Sequence, residues 1–369
     1  MLSQRCVLPQ NLLCTRQLGV KTKPFSIPEG PASIFRPAFY FIAKMRAIIR
    51  TGDKSPETLT LDPHHPEPKS ADHPECYIVR SKAAALTREE LTWPEPKGPD
   101  VPVPGLDLAG EIISIPTKAG HHTFKPGDEV YALTTFTWQG HARDITVAHE
   151  NELAPKPKNL GWEEAASVPL SALSAYQALF VHGALTPPKI GGNPGKRVLV
   201  TAASGGVGLW GVQLACEAGV EVVGTCGASN VDFVKDLGAE TVLDYRKTDL
   251  SEWVSVDRAS RGFDVVLDCI GGADLTKAWK CARDGAKVIS VAEPPDPRKP
   301  ADGVAQDVQG IWFIVTPSGA QLVEVTDLLE RNKCKAVVDS VYELEQFAAA
   351  FEKLEKGHSR GKIVLKIHS

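Results

Sequence analysis

No two of the eight cysteines form a C-x-x-C pair, so the chain builds neither a disulfide framework nor a four-cysteine zinc lobe. Scattered at positions 6, 14, 76, 216, 226, 269, 281 and 334, they read as small buried hydrophobes in a reducing compartment. No apolar run is long enough to cross a bilayer; the best, Ala38 to Ala43, is far too short. Neither charge sign is in excess: 41 Lys and Arg stand against 45 Asp and Glu, for a net charge of −4. That balance argues against a nucleic acid or an anionic membrane as an electrostatically held partner. Internal repeats and low-complexity tracts are also missing.

What remains, 369 residues with 43% hydrophobic content, is enough for two domains with sizeable cores. Residues 1–44 stand apart, with Arg5, Arg16, Lys21, Lys23, Arg36 and Lys44 but a single acid, Glu29. The segment reads equally as a mitochondrial transit peptide, a disordered tail or an over-extended start ahead of Met45, since Pro9 interrupts a long amphipathic helix. Residues 45–165 alternate short strands with Pro- and Gly-rich breaks, the pattern of an antiparallel β domain. Residues 166–330 alternate strands (Arg197 onward, 221–226, 241–245, 263–269, 286–291, 310–315) with helices, which predicts a doubly wound parallel sheet. Glu163 to Phe180 reads as helix apart from Pro169, and 273–283 as a later helix. Residues 331–369 return to strand, helix and strand.

The most informative segment is Arg197-Val198-Leu199-Val200 followed by Thr201-Ala202-Ala203-Ser204-Gly205-Gly206-Val207-Gly208. A buried strand breaks into small residues and a helix follows. In that context A-x-G-x-x-G, from Ala203 to Gly208, lets the backbone approach a pyrophosphate at a helix start.

Five motifs occur in order: Pro104-Gly105-Leu106-Asp107-Leu108-Ala109-Gly110; Phe124 to Tyr131; Glu164 to Leu170; Ala203 to Gly208; and Gly361-Lys362-Ile363-Val364-Leu365. Together they resemble the medium-chain dehydrogenase/reductase superfamily. The match is nearer to its zinc-free quinone oxidoreductase branch, with fungal members and the mitochondrial reticulon-interacting oxidoreductase group. The resemblance implies a GroES-like barrel domain, completed by the C-terminal segment, with an inserted Rossmann domain and the active site in the cleft. It also implies a homodimer. Zinc-dependent relatives carry a Cys and a His where this chain has Thr87 and Leu106. Leucine offers no lone pair, so no metal is predicted.

An acid about 20 residues after the glycine motif selects NAD by accepting the ribose 2′-OH. Thr225 to Asn230 holds none, and Ser229 and Asn230 can donate to a 2′-phosphate, although the same pair also suits a helix N-cap. Tyr245 resembles the family tyrosine beside that phosphate; Lys235 and Lys362 are further candidate helpers. The predicted cofactor is NADP(H). Cys269 and Val291 close their strands at its border, and Phe313, with Trp312 and Val315, is a candidate wall of the nicotinamide pocket, although such residues more often serve an apolar sheet core. The resemblance points to a hydroxyl near the carboxamide, and Ser174 is the candidate among Ser171, Ser174, Tyr176 and Gln177. Thr87 stands where many quinone reductases have Asn.

Without a metal or a recognisable acid, alcohol oxidation lacks a means of stabilising an alkoxide. Hydride addition to a quinone or an α,β-unsaturated carbonyl delocalises the charge instead, with positioning supplied by the protein. Two alternatives remain open: a trans-acting enoyl reductase or tailoring dehydrogenase of a fungal secondary-metabolite pathway, and a non-catalytic NADPH-binding partner protein. The location follows the N-terminal segment, mitochondrial if it is a transit peptide and cytoplasmic otherwise.

Overall fold

The computed structural model describes residues 44–51, 56–93, 102–136 and 140–368. The N-terminal extension before Lys44 and parts of the loops 87–98 and 134–140 lie outside them. Strands β1 (Lys44–Arg50) and β2 (Leu59–Pro66) form an antiparallel pair. The next strands are β3 (Cys76–Leu86), β4 (Asp107–Ser114), β5 (Glu129–Leu133), β6 (Ile145–His149) and β7 (Leu153–Pro155). Helices α1 (Trp162–Ala166) and α2 (Pro169–Tyr176) lead to β8 (Arg197–Val200), α3 (Gly206–Glu217), β9 (Glu221–Cys226) and α4 (Val231–Asp236). Then come β10 (Thr241–Asp244), α5 (Leu250–Ser255), α6 (Arg258–Arg261), β11 (Phe263–Asp268), α7 (Gly272–Trp279), β12 (Ala282–Ser290) and β13 (Gln309–Trp312). The chain closes with α8 (Gly319–Glu330), β14 (Val338–Glu343), α9 (Phe347–Lys356) and β15 (Lys362–Lys366).

Six strands form an all-parallel sheet in the order β10-β9-β8-β11-β12-β13. Arg197-Val198-Leu199-Val200 is buried at every position, as a central strand covered on both faces must be. Strand order reverses between β8 and β11, which opens a crevice at their carboxyl ends. The second sheet runs β14-β15-β3-β4-β5-β7, with β6 on the far half of β3. Strand β15 thus returns from the C-terminus to pair with Ala83 to Leu86. These are the Rossmann and GroES-like components that the resemblance implied, and one core cluster, from Ala83 through Leu173 and Val200 to Val364, joins them.

The helix read over 163–180 is broken in two ways. Pro169, lacking an N–H, starts α2 at its first position. Beyond Tyr176 the helix widens to a π-turn over Gln177–His182, where Gly183 donates to Ala178 O at 2.7 Å. The helix read over 273–283 ends at Trp279, because Ala282 already pairs with Phe263.

The proline-rich segment 292–303, which reads as a mobile surface loop, is tied down. Trp279, fully buried, donates its Nε1 to Pro295 O at 3.0 Å, and Lys299 lies 5.0 Å from the Trp279 ring centroid. Glu293 accepts from Gly272 N at the start of α7 and from Arg298 Nε at 3.0 Å. Trp279→Ala should destabilise the protein by about 3–5 kcal/mol in urea unfolding, and limited proteolysis should then cut within 292–303.

Candidate cofactor and substrate cleft

After β8 the chain must turn sharply to enter α3. Ala202 takes the left-handed conformation (φ 46°), and Gly205 donates to Ala202 O at 2.8 Å. Ala203, fully buried, donates to Thr225 O at 2.9 Å and so ties the turn to β9. A Cβ on Gly208 would stand 2.2 Å from Ala202 O, so only glycine lets α3 start this close to the strand. No side chain caps α3, whose N-cap is Gly205. The first-turn N–H groups therefore remain available to an anion. A Cβ on Gly206 would intrude to 3.1 Å from Ser171 Oγ and 3.2 Å from Lys362 Cδ, so the opening beside the turn depends on its absence. Val207 is half-buried against the main core. This cradle fits the pyrophosphate of a dinucleotide.

The C-terminal strand meets the turn directly. Gly361 bridges Gly205 in parallel, and its N–H donates to Ser204 O at 3.2 Å. Its φ is +84° and a Cβ would reach 2.2 Å from Val337 O, so position 361 requires glycine. On one side of this contact, Arg360 reaches the end of β9. Its Nη2 and Nε donate to Asn230 Oδ1 at 2.7 and 2.9 Å, and Nη2 donates to Ser229 O at 3.3 Å. Asn230 Nδ2 donates in turn to Ser204 Oγ at 3.2 Å. Arg360 also lies over the Phe233 ring, 4.8 Å from its centroid. The sequence reading named Ser229 and Asn230 but missed this cation.

Tyr245 follows β10, is 46% exposed, and donates its N–H to Cys226 O at 3.2 Å. With Thr201, Thr225, Ile270 and Asp274 it lines a shallow pocket at the carboxyl ends of the parallel strands. Arg246, also missed, packs over the Tyr245 ring at 5.3 Å.

Deeper in the crevice, Asp268 is fully buried and organises the loops. Its Oδ2 accepts from Ser290 Oγ at 2.8 Å and Gly271 N at 2.9 Å, and its Oδ1 from Thr201 Oγ1 at 3.1 Å. Thr201 Oγ1 accepts from Cys269 N at 2.8 Å. Burial holds the Cys269 thiol well above its ordinary range, so it is a neutral lining group. Val291 donates to Asp268 O at 3.0 Å. Phe313 is half-buried, with the His182 ring 4.3 Å away.

The opposite wall comes from the barrel sheet. Lys362, buried, sends its Nζ to Thr87 Oγ1 at 2.8 Å and faces Asp107 Oδ2 at 3.2 Å. The latter is an ion contact and not an aligned hydrogen bond, since Oδ2 takes no hydrogen bond of good geometry. Asp107 Oδ1 accepts from Leu170 N at 2.5 Å, fixing α2 to β4. Burial pushes the Asp107 carboxyl up, and Lys362 and the Leu170 N–H oppose it; the acceptor-only contacts favour the charged pair. Glu90, unnoticed in the sequence, accepts from Thr87 N and from Gly105 N, each at 3.2 Å. Burial raises its pKa to about 8, against the pull of Lys362. Ser174 donates to Leu170 O one turn back, at 2.7 Å, while Ser171 is the hydroxyl beside the glycine turn.

Among the described residues no group of three or more His, Cys, Asp or Glu is arranged to hold a metal ion. At the positions of interest, Leu106 has no donor atom and Thr87 is bound by an ammonium, which would repel a cation. These residues do not fit catalytic zinc.

A family model described as zinc-binding dehydrogenase matches residues 237–365. A probable zinc-binding oxidoreductase, mitochondrial, from Arthroderma benhamiae is 44% identical over 88% of this chain and 100% of its own length. The chain belongs to the medium-chain dehydrogenase/reductase superfamily. It is an oxidoreductase of that family, which implies a nicotinamide cofactor. The NAD(P)H oxidoreductase RTN4IP1, mitochondrial, of Danio rerio is 33% identical over 77% of this chain and 76% of its own. A chloroplast envelope quinone oxidoreductase homolog of Arabidopsis thaliana is 32% identical, covering 82% and 91%. The crystal structure of an NAD-dependent alcohol dehydrogenase superposes with a TM-score of 0.76 at 28% identity, covering 88% of this chain and 100% of that one. Leu106 offers no lone pair and the Thr87 hydroxyl already accepts from Lys362, so these two positions do not fit a catalytic zinc.

Glu90 carries a pH signature. Its folded pKa of about 8 exceeds the ordinary 4.5, so the stability tied to its protonated form is complete below pH 4.5 and is lost as pH rises through 8. Glu90→Gln removes that titration while turning one amide N–H against a backbone donor. The stability advantage of wild type over the variant should therefore shrink from pH 5 to pH 9 in urea titrations. A pH-independent difference would contradict the raised pKa.

Proposed function

We propose that this chain is a zinc-independent oxidoreductase that transfers hydride from NADPH to a quinone or an α,β-unsaturated carbonyl. The observation that carries the cofactor choice is Arg360 at the end of β9, held by Asn230 Oδ1 and Ser229 O. Sequence lacks an acid there, so nothing repels a 2′-phosphate, and a guanidinium suits bidentate phosphate binding. The stretch Ala203 to Gly208 would receive the pyrophosphate on backbone N–H groups. Tyr245 would border the adenosine. Cys269, Val291 and Phe313 would line the nicotinamide, with Thr201, Asp268 and Ser290 holding their loops in place.

Bound there, the reduced nicotinamide supplies the hydride. The barrel wall, with Thr87 and Lys362, faces the acceptor, and half-buried Leu106, Trp93 and Phe136 offer an apolar surroundings that excludes water. A conjugated acceptor matches this wall because its negative charge spreads over the π system without a metal. The chloroplast quinone oxidoreductase homolog among the relatives agrees with that acceptor class. In this reading residues 45–165 and 331–369 form the substrate domain and 166–330 the cofactor domain. The mitochondrial designation of the fungal and fish relatives, together with the basic, acid-poor first 44 residues, supports a mitochondrial location.

The test is cofactor titration by fluorescence. Arg360→Ala should weaken NADPH binding by about 1.5–3 kcal/mol, or roughly 10- to 150-fold, while NADH affinity stays nearly constant. Equal loss for both coenzymes, or equal wild-type affinity for them, would contradict NADPH selectivity.

A further inference from the structure

The group of buried Lys362 and Asp107 with half-buried Thr87 and Glu90 is larger than cofactor binding requires. Three titratable side chains come from three places: Lys362 from β15, Asp107 from β4, and Glu90 from the turn after β3. Ser171 of α2 lies beside Gly206, next to the Lys362 stem. The Lys362 stem passes the glycine turn, 3.2 Å from where a Gly206 Cβ would sit, and its head group ends on Thr87 at 2.8 Å. The Thr87 hydroxyl thus accepts from an ammonium and keeps its own proton to give. It is half-buried just past the end of β3, where Leu86 pairs with Ile363 of β15, and Glu90 fixes its backbone through the Thr87 N–H.

We propose that Thr87 is the catalytic acid that protonates the carbanion formed on an α,β-unsaturated carbonyl, and that Lys362, acting through Thr87, resupplies the proton. This rests on the reductase reading above and narrows its substrate class to enones and enals.

The step balances as follows. Hydride arrives at the β carbon, a C–H bond forms there, the C=C π bond breaks, and an enolate remains. The Thr87 O–H bond breaks as a C–H bond forms at the α carbon. The Thr87 oxygen then takes a proton from Lys362 Nζ, and water entering the reopened cleft reprotonates the amine beside Asp107. One hydride and one solvent proton are consumed, and the product is the saturated carbonyl. Quinones need this device least, because a hydroquinone anion is stable enough to leave and be protonated by water.

The experiment is reduction of a 2-methyl enone by the full chain and NADPH in D₂O, with the configuration at the α carbon read by NMR. Wild type should place deuterium on one face. Thr87→Val should lower kcat on the enone by about 100-fold, scramble the α-carbon configuration, and leave NADPH affinity nearly unchanged. Thr87→Ser should restore rate and stereochemistry. Lys362→Met should slow the enone reaction and enlarge its solvent isotope effect; if that variant fails to fold, the two Thr87 variants decide alone. A Thr87→Val enzyme with wild-type rate and one-face deuteration overturns the relay while leaving the reductase reading intact. Wild type that binds NADPH but turns over no enone overturns the relay whatever it does with quinones. Failure on quinones as well overturns the reductase reading too.

Discussion

The contact between Gly361 and the glycine turn is the constraint on which the rest of this structure depends. Two sheets of different construction meet where Gly361 donates to Ser204 O and bridges Gly205. Any Cβ at 361 would strike Val337 O, so the approach is available to glycine alone. The C-terminal strand is held there by its antiparallel pairing with β3 and its parallel pairing with β14. Arg360 and Lys362 flank the contact and leave it in different directions. Arg360 goes to the rim of the parallel sheet, and Lys362 goes into the barrel wall. One tripeptide therefore supplies a cation to each end of the cleft.

The two cations stand in different dielectrics. Arg360 is exposed, shares its charge with Asn230 and Phe233, and remains able to take a phosphate. Lys362 is buried, and a lone buried ammonium would be costly. Asp107 offsets that cost, while the Thr87 hydroxyl takes one of its three donors. Because Asp107 also accepts from Leu170 N, the same carboxylate couples Lys362 to the start of α2, whose Ser171 borders the glycine turn. Losing any member of this set leaves a buried polar group uncompensated.

Much of the frame was legible along the chain because its signals are local. Val198 to Val200 is a continuous apolar run, Ala203 to Gly208 is dictated by close approach of helix to strand, and Leu106 by its own chemistry offers a metal no lone pair. The missed residues act over long sequence distances. Arg360 meets Asn230 across 130 residues, and nothing around it marks it except a basic pair flanking a glycine. The missing acid after β9 was a usable signal, since a site without that acid invites a search for a cation elsewhere. Glu90 sits in Thr87-Arg88-Glu89-Glu90, a string that reads as a solvated turn; its enclosure is a tertiary fact. Ser174 and Ser171 differ by one helical turn position, and only the packing of α2 decides which one faces the cleft.

The most direct measurement of this account is hydrogen exchange of the full chain with and without saturating NADPH. The account predicts added protection in three separated segments: the glycine turn at 201–208, the C-terminal junction at 359–363, and the end of β3 near 84–88. Protection confined to 201–208, with the other two segments unchanged, would contradict the coupling of both sheets through Gly361.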